Sequence, residues 1–450
     1  MASTYLERTV SAGNQQIFTY STWVKFSNPS GTDNALFGDD GGYPNFFVNK
    51  NSTQQFRIGA TASDSSTIFD LITTQVFRDP SAWYHIVIAV DTTQATSSDR
   101  VKLYVNGEQV TSFSTETYPS QNANICIGAS GNAFRIGQFS GVWFFEGSMA
   151  HVHFIDGTAY DASAFGETDA TTGIWKPKTA PSVTYGTNGF FLKFENSGAM
   201  GTDSSGNANN FTVNGTMTQT IDTPSNVFAT FNPLDVRSSG GTSYPATYSD
   251  GNLTAEFPSG AIVNNSNSSI AFNQGKWYCE IKITNVVNTY IGILPKDDWN
   301  STTWPVSTVG YSYKATDGDK RSSAGEVAYG NSYTSGDIVQ IAFDCDNGTL
   351  WFGKNGTWQN SATQSEIENG TTTNSAYSGL TSAKNWVFFY SGTAGTPNDK
   401  ASANFGNGYF GTTAVSSAQN PDDGIGIFEY AVPSGYKALC TKSINAQEYD

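Results

Sequence analysis

The chain has 450 residues, 14% of them charged and 14% aromatic, with a formal net charge of −16 and a pI near 4.5. With no basic run to offset that charge, duplex DNA, RNA and anionic membrane surfaces are repelled and excluded as natural partners. Glycines number 45 and Ser, Thr and Asn are abundant, which suits short strands joined by many turns in two domains of ordinary size.

No window carries a sustained helical apolar stripe, so helix is expected near the floor. No apolar stretch reaches the about 18 residues a membrane span needs. The opening Met1-Ala-Ser-Thr-Tyr-Leu-Glu-Arg8 lacks a basic segment followed by an apolar core, and no signal peptide is expected.

In chain order, Ile17–Phe26 reads as a strand with Phe18, Tyr20, Val24 and Phe26 on one face and Trp23 on the other. Short strands follow at 34–38 and 55–59. A hairpin then runs from Trp83 to Asp91 and returns over Val101–Val105 to Asn106-Gly107, with Tyr84, Ile86, Ile88 and Val90 on one face. Strands at 134–137, 142–147 and 148–155 complete the first half, where Ala150, Val152 and Phe154 face one way and His151 and His153 the other. Around 221–226 the pattern stops, and the boundary is placed near 226.

The second half opens at 253–257 and continues through Lys276–Ile283 and Thr289–Leu294. It repeats the hairpin: Gly336 to Asp344, a turn at Asn347-Gly348, and Thr349–Phe352 to Asn355-Gly356. Asn-Gly favours a type I′ turn because both residues accept positive φ. Strands at 386–390 and 403–406 end the pattern. The polar tail 441–450 is either free or docks on a neighbouring subunit. Of the four cysteines, Cys126, Cys279, Cys345 and Cys440, the first three sit in apolar runs without Cys-x-x-Cys spacing and read as small buried hydrophobes, which points to a reducing compartment.

Tyr20-Ser-Thr-Trp-Val-Lys25, Trp83-Tyr-His-Ile-Val87, Leu103-Tyr-Val-Asn-Gly107 and Phe145-Glu-Gly-Ser-Met-Ala-His-Val152 resemble the laminin-G-like, concanavalin A-like jelly-roll family. Phe191–Gly198 and Asp203–Asn210 resemble the segment that usually opens such a domain, yet they come near its end, which looks like a circular permutation. Gly336-Asp-Ile-Val339, Gly348-Thr-Leu-Trp-Phe352 and Lys354-Asn-Gly356 resemble the SPRY family, whose bent sandwiches bind partners through loops at one end. The expected fold is therefore all-β: two concanavalin A-like antiparallel β-sandwiches in tandem, over 1–226 and 227–440. The arrangement, with Phe154–Tyr160 and Trp175-Lys-Pro-Lys178, also resembles proteins encoded by bacteriophages.

Lys296-Asp-Asp-Trp-Asn300 through Trp304 is a polar loop with two tryptophans. Trp299, Trp304, Asp297, Asp298 and Asn300 have the chemistry to stack on sugar rings or anchor a protein, unless the tryptophans fold back into the core. Tyr43 and Asn45, in the stretch 39–45, form a second such candidate. The 203–210 loop groups oxygen ligands, Asp203 and Asn207 among them, but one carboxylate is few for calcium, and a tight turn is the competing reading. His151 and His153 lack an evident third metal ligand and read as solvent-facing. No strand carries alternating carboxylates for glycoside cleavage, and no nucleophile elbow occurs. The expectation is a non-catalytic phage virion surface protein, a fibre, spike or decoration component, that recognises host glycan or protein through loops. A homo-oligomer, by analogy a trimer, and contacts with other virion proteins are expected with it. A purely structural virion role is the alternative, and a glycan-degrading enzyme a third.

Overall fold

Both Asn-Gly hairpins form, and by one device. Asn106 and Asn355 take φ of 49° and 48°, followed by Gly107 and Gly356 at 89° and 81°. Each Asn side chain accepts the N–H of the residue just before the hairpin's first pair: His85 N to Asn106 Oδ1, and Ile338 N to Asn355 Oδ1, both at 2.8 Å. Each Asn N–H returns to the same residue's carbonyl at 2.9 Å. The link 345–348 differs from expectation. It is a four-residue turn in which Gly348 has positive φ and Asn347 does not; Asn347 instead donates to the Asp344 carboxylate.

The computed structural model describes residues 4–27, 33–39, 45–236, 238–239, 242–243, 245–257, 264–300, 302–380, 383–392 and 398–449. The chain divides into two compact units, Met1–Gln219 and Thr220–Asp450. Both are antiparallel sandwiches, so the all-β tandem architecture stands. No helix among the described residues is long and apolar enough to cross a membrane.

In the first unit an eight-stranded sheet runs in the order Phe113–Thr117, Thr67–Val76, Gln55–Thr61, Asn45–Lys50, Asn34–Asp39, Ala133–Ile136, Tyr5–Thr9, Thr212–Asn214. A six-stranded sheet runs Phe190–Leu192, Gly147–Asp156, Ile17–Phe26, Tyr84–Asp91, Val101–Val105, Glu108–Gln109. Alternate residues of the two sheets meet in one apolar core, where Tyr20 stacks on Phe37 at 4.6 Å between centroids and Phe134 meets Phe154 edge-on at 4.9 Å. The late segments 190–192 and 212–214 close one edge of each sheet, the latter beside the first strand.

The second unit repeats the plan. Its larger sheet orders Thr247–Ser249, Thr254–Glu256, Lys400–Asn404, Lys276–Asn285, Ile338–Asp344, Thr349–Lys354 and Thr357–Trp358, with Lys437–Ala438 pairing parallel to Lys276–Asn285. The smaller orders Asn264–Asn267, Trp386–Gly392, Tyr290–Pro295, Tyr311–Lys314, Asp319–Ser322 and Gly325–Ala328. Val339, Ile341 and Phe343 share the core face as alternation requires, and Phe343 meets Trp386 across the sandwich at 5.2 Å. The polar tail is a helix, Thr441–Tyr449, folded onto its own unit: Ser443 is buried beside the Cys440 thiol and Ile444 packs on the core.

Three outer sheet faces are covered by the chain itself. Segment 157–188 lies over the first unit's smaller sheet, placing Phe165, Trp175 and Tyr185 against Val87, Tyr104 and Ile155. The second unit's larger sheet is covered by Phe428, Val432 and Tyr436 with Ile367, over Tyr278, Ala342 and Trp351. Its smaller sheet is covered by the loop carrying Trp299 and Val306, over Tyr290, Leu294, Val387 and Phe389. The parallel extends to the hairpins. Trp175 seats against Gly107 and Tyr430 against Gly356, where a Cβ would come within 3.2 and 2.9 Å of the rings.

Candidate functional site

The loop after Tyr290–Pro295 brings Asp297, Asp298, Trp299, Asn300 and Trp304 together. Trp299 is 7% exposed, packs on Leu294 and Phe389, and donates Nε1–H to the Thr303 carbonyl at 3.1 Å. Lys296 Nζ lies over its ring at 4.4 Å. Trp304 is half-buried: it meets Tyr290 edge-on, donates to Ser391 Oγ at 3.0 Å, and carries the Arg321 guanidinium 5.0 Å from its ring. The carboxylates tie the loop down. Asp297 accepts from Asn385 N and Nδ2, which holds its carboxyl below the usual range, and Asp298 pairs with Lys384 at 2.6 Å. Asn300 Oδ1 accepts from Thr302 N and Oγ1. The loop thus turns its rings toward the sheet and leaves Asp297, Asp298 and Asn300 as its exposed groups. Tyr43 lies outside the described residues. Asn45 sits on the other unit, accepting from Thr61 Oγ1.

Asp203 anchors its loop. Oδ1 accepts from Phe191 N and Ser205 N, while Oδ2 accepts from Ser205 Oγ and Asn209 N, all at 2.8–2.9 Å. Asn207 donates to the carbonyls of Gly186 and Gly189. The positive φ values of the turn fall on Gly206 and Ala208, at 95° and 57°.

The expectation that His151 and His153 face solvent is wrong. His153 is 1% exposed, stacks on Phe191 at 3.9 Å, and bonds Tyr185 Oη through Nδ1 at 3.1 Å; His151 is partly buried. Two physical reasons account for this. The pairing with Ile17–Phe26 slips between Ala150 and His153, with His151 at φ 48°, so simple alternation fails there. Segment 157–188 then covers the face. His85 lies in the same layer, stacked on Trp23, its Nδ1 accepting from Trp175 Nε1 at 3.0 Å and its Nε2 facing Ser21 Oγ at 2.9 Å. Burial, with His151 adding to it, pushes His85 down to about 3, so the ring is neutral. Among the described residues Asp317, Asp319 and Glu326 bring carboxylates within 4.8 Å of one another, but Lys314 and Arg321 already pair with that group.

The face that sequence reading missed is the outer side of the first unit's eight-stranded sheet. Directly across its strands runs one row: Glu7, Arg135, Gly38, Phe47, Gly59, Asp70. The glycines are floors. A Cβ on Gly59 would meet the Phe47 ring at 2.5 Å, and one on Gly38 the Phe139 ring at 2.5 Å, so both rings lie flat on the sheet. Trp143, half-buried at the tip of the hairpin formed by Gln138–Phe139 and Trp143–Phe144, stands on Phe47 and Phe139 at 6.1 and 5.6 Å. Beside it Val142 is 69% exposed. Guanidiniums flank the rings. Arg57 lies over Phe47 at 5.1 Å and forks onto Asp70 through Nε and Nη2 at 2.8 and 3.0 Å; Arg135 lies over Tyr5 at 5.7 Å and pairs with Glu7 at 2.6 Å. Asn45 shares this face two residues from Phe47. The available signal was the alternation Phe46, Phe47, Val48, in which the central Phe cannot face the core.

Residues 2–163 match the family model of the concanavalin A-like lectin/glucanases superfamily, Laminin_G_3, so the first unit carries a concanavalin A-like domain. None of the curated proteins matches the chain. Among solved structures, the SPRY domain of human HERC1 is 17% identical, over 38% of this chain and 96% of its own, with a TM-score of 0.30. A heptameric SAP-like pentraxin from Limulus polyphemus is 15% identical, over 35% and 72%, with a TM-score of 0.27. A human SPRY domain is 13% identical, over 38% and 95%, with a TM-score of 0.26. Scores this low bear on neither ligand nor partner.

Proposed function

We propose that the chain is a non-catalytic recognition protein of a bacteriophage particle surface, and that its first unit makes contact with a host-surface glycan. One observation carries the reading. Three outer sheet faces are covered by the chain's own segments; on the fourth the hairpin 138–144 buries Phe47 and Phe139, leaving Trp143 half-buried and Val142 exposed at its tip with the paired guanidiniums of Arg57 and Arg135 on either side. Half-exposed aromatic surface beside fixed donors and acceptors is the equipment of a binding face. The superfamily model matched by residues 2–163 names lectins, which supports a glycan. The phage assignment rests on the motif resemblance over 154–178. Weak single sites would gain from several copies on one particle.

Two experiments test this. Labelled protein applied to host cells and a glycan array should bind, and Trp143→Ala should remove most of that binding. Immunogold labelling should decorate intact particles. Labelled particles with no cell or glycan binding would favour a purely structural virion role instead.

A further inference from the structure

We infer that Lys50 and Asn34 join through their side chains into an amide cross-link inside the first unit. Alternation along Asn45–Lys50 puts Lys50 on the core face with Phe46 and Val48. Asn34 is its direct partner on Asn34–Asp39, so the two side chains share that face with Cβ atoms about 5 Å apart. Both residues are fully buried. Lys50 Nζ lies 5.0 Å from the centroid of the Phe26 ring, which packs on Phe56 and Phe145. The same amine donates to Oε1 of Gln54, a buried residue. An ammonium held among rings is costly, and condensation to an amide removes the charge.

Glu146 serves the reaction with two groups. Its N–H donates to Asn34 Oδ1 at 3.0 Å, which polarises the amide carbonyl and holds the oxygen on which negative charge develops. Its carboxylate acts on the Lys50 charge. Burial outweighs that charge and pushes the Lys50 ammonium down to about 8, so near that pH much of the amine is neutral and nucleophilic. Nζ attacks Asn34 Cγ; the Nζ–Cγ bond forms, the Cγ–Nδ2 bond breaks, and ammonia leaves. The Glu146 carboxylate takes a proton from Nζ and delivers it to Nδ2, ending as it began. No oxidant or second reactant enters. Strand pairing supplies the proximity that a separate enzyme would otherwise provide.

The test is peptide mapping of the full chain by mass spectrometry. After incubation at about pH 8, the wild type should be lighter than its sequence by one ammonia, and trypsin should no longer cut after Lys50. Chymotrypsin, cutting at Phe37, Phe46 or Phe47, should leave the fragments that carry Asn34 and Lys50 joined. That joining separates the link from cyclisation at an Asn-Gly step, which also loses ammonia. Lys50→Met and Asn34→Ala should each abolish the joined pair, and Glu146→Gln should slow its formation about a hundredfold. Near-ultraviolet dichroism checks that each variant is folded, and the wild-type map decides by itself where one is not. Separate chymotryptic fragments from the wild type, with Lys50 open to trypsin, would overturn the link. Fragments joined through Gln54 would overturn Asn34 as the acceptor. Undiminished formation in Glu146→Gln would overturn proton transfer through that carboxylate.

Discussion

Glu280 is fully buried on Lys276–Asn285, and donors converge on its carboxylate: Tyr278 Oη and Tyr430 N at 2.9 Å, Glu429 N at 2.8 Å and Asn404 Nδ2 at 3.4 Å. Desolvation outweighs these bonds and, with the Glu429 charge, raises the group to about 7 from 4.5. The folded value is above the unfolded one. Its stabilising effect is therefore complete below about pH 4.5 and declines as pH rises toward about 7, by on the order of 3 kcal/mol. Glu280→Gln removes the titration. Urea unfolding of the wild type and variant should show the wild type's advantage larger at pH 5 than at pH 8; an advantage independent of pH would refute the assignment. His85 runs the other way. Its depressed value means that its stabilising effect is present above about 6.5 and is lost as pH falls toward about 3. Trp175→Phe keeps a ring against Gly107 but leaves His85 Nδ1 buried without its donor. A loss of about 1 kcal/mol is expected in the same measurement.

Strands and hairpins were legible where the cause is local. Asn-Gly at 106–107 and 355–356 dictates its own backbone, and alternation in 84–90 and 338–344 separates core from outer face without outside help. What escaped depends on partners far along the chain. Asn264–Asn267 has poor strand propensity, yet it pairs with Trp386–Gly392 and its side chains bond one another and Asp235. The histidines read as solvent-facing because nothing near them in sequence reveals the covering segment 157–188. The face under Trp143 was missed for a related reason: Gly38, Phe47 and Gly59 become one row only when three strands pair. That row gives a prediction. Gly59→Ala places a methyl 2.5 Å from the Phe47 ring, beyond what a seated ring tolerates. The ring must lift, taking Trp143 and Arg57 with it. We expect a cost of about 1–3 kcal/mol and a changed near-ultraviolet spectrum. If Phe47 merely turned in place, glycan binding would be unaffected and the platform would not be a single unit.

The division into two units rests on two interiors built from different parts of the chain. Phe134 meets Phe37, Phe154 and Phe190 within the first, and Phe343 meets Phe272 and Trp386 within the second. Both side chains are fully buried, so removing either leaves a cavity, at about 3–5 kcal/mol for Phe→Ala. Because the strands around Phe134 all belong to Met1–Gln219, that loss falls on the first unit's unfolding, and the loss at Phe343 falls on Thr220–Asp450. Calorimetry of the full chain should therefore resolve two transitions. Phe134→Ala should lower one by several degrees, Phe343→Ala should lower the other, and the double variant should show the sum, as independent sites do. A single transition lowered by either variant would mean that the two sandwiches unfold as one cooperative body. Ligand then identifies the units. A glycan bound against Trp143 stabilises only the folded first unit, so it should raise the transition sensitive to Phe134 and leave the other in place.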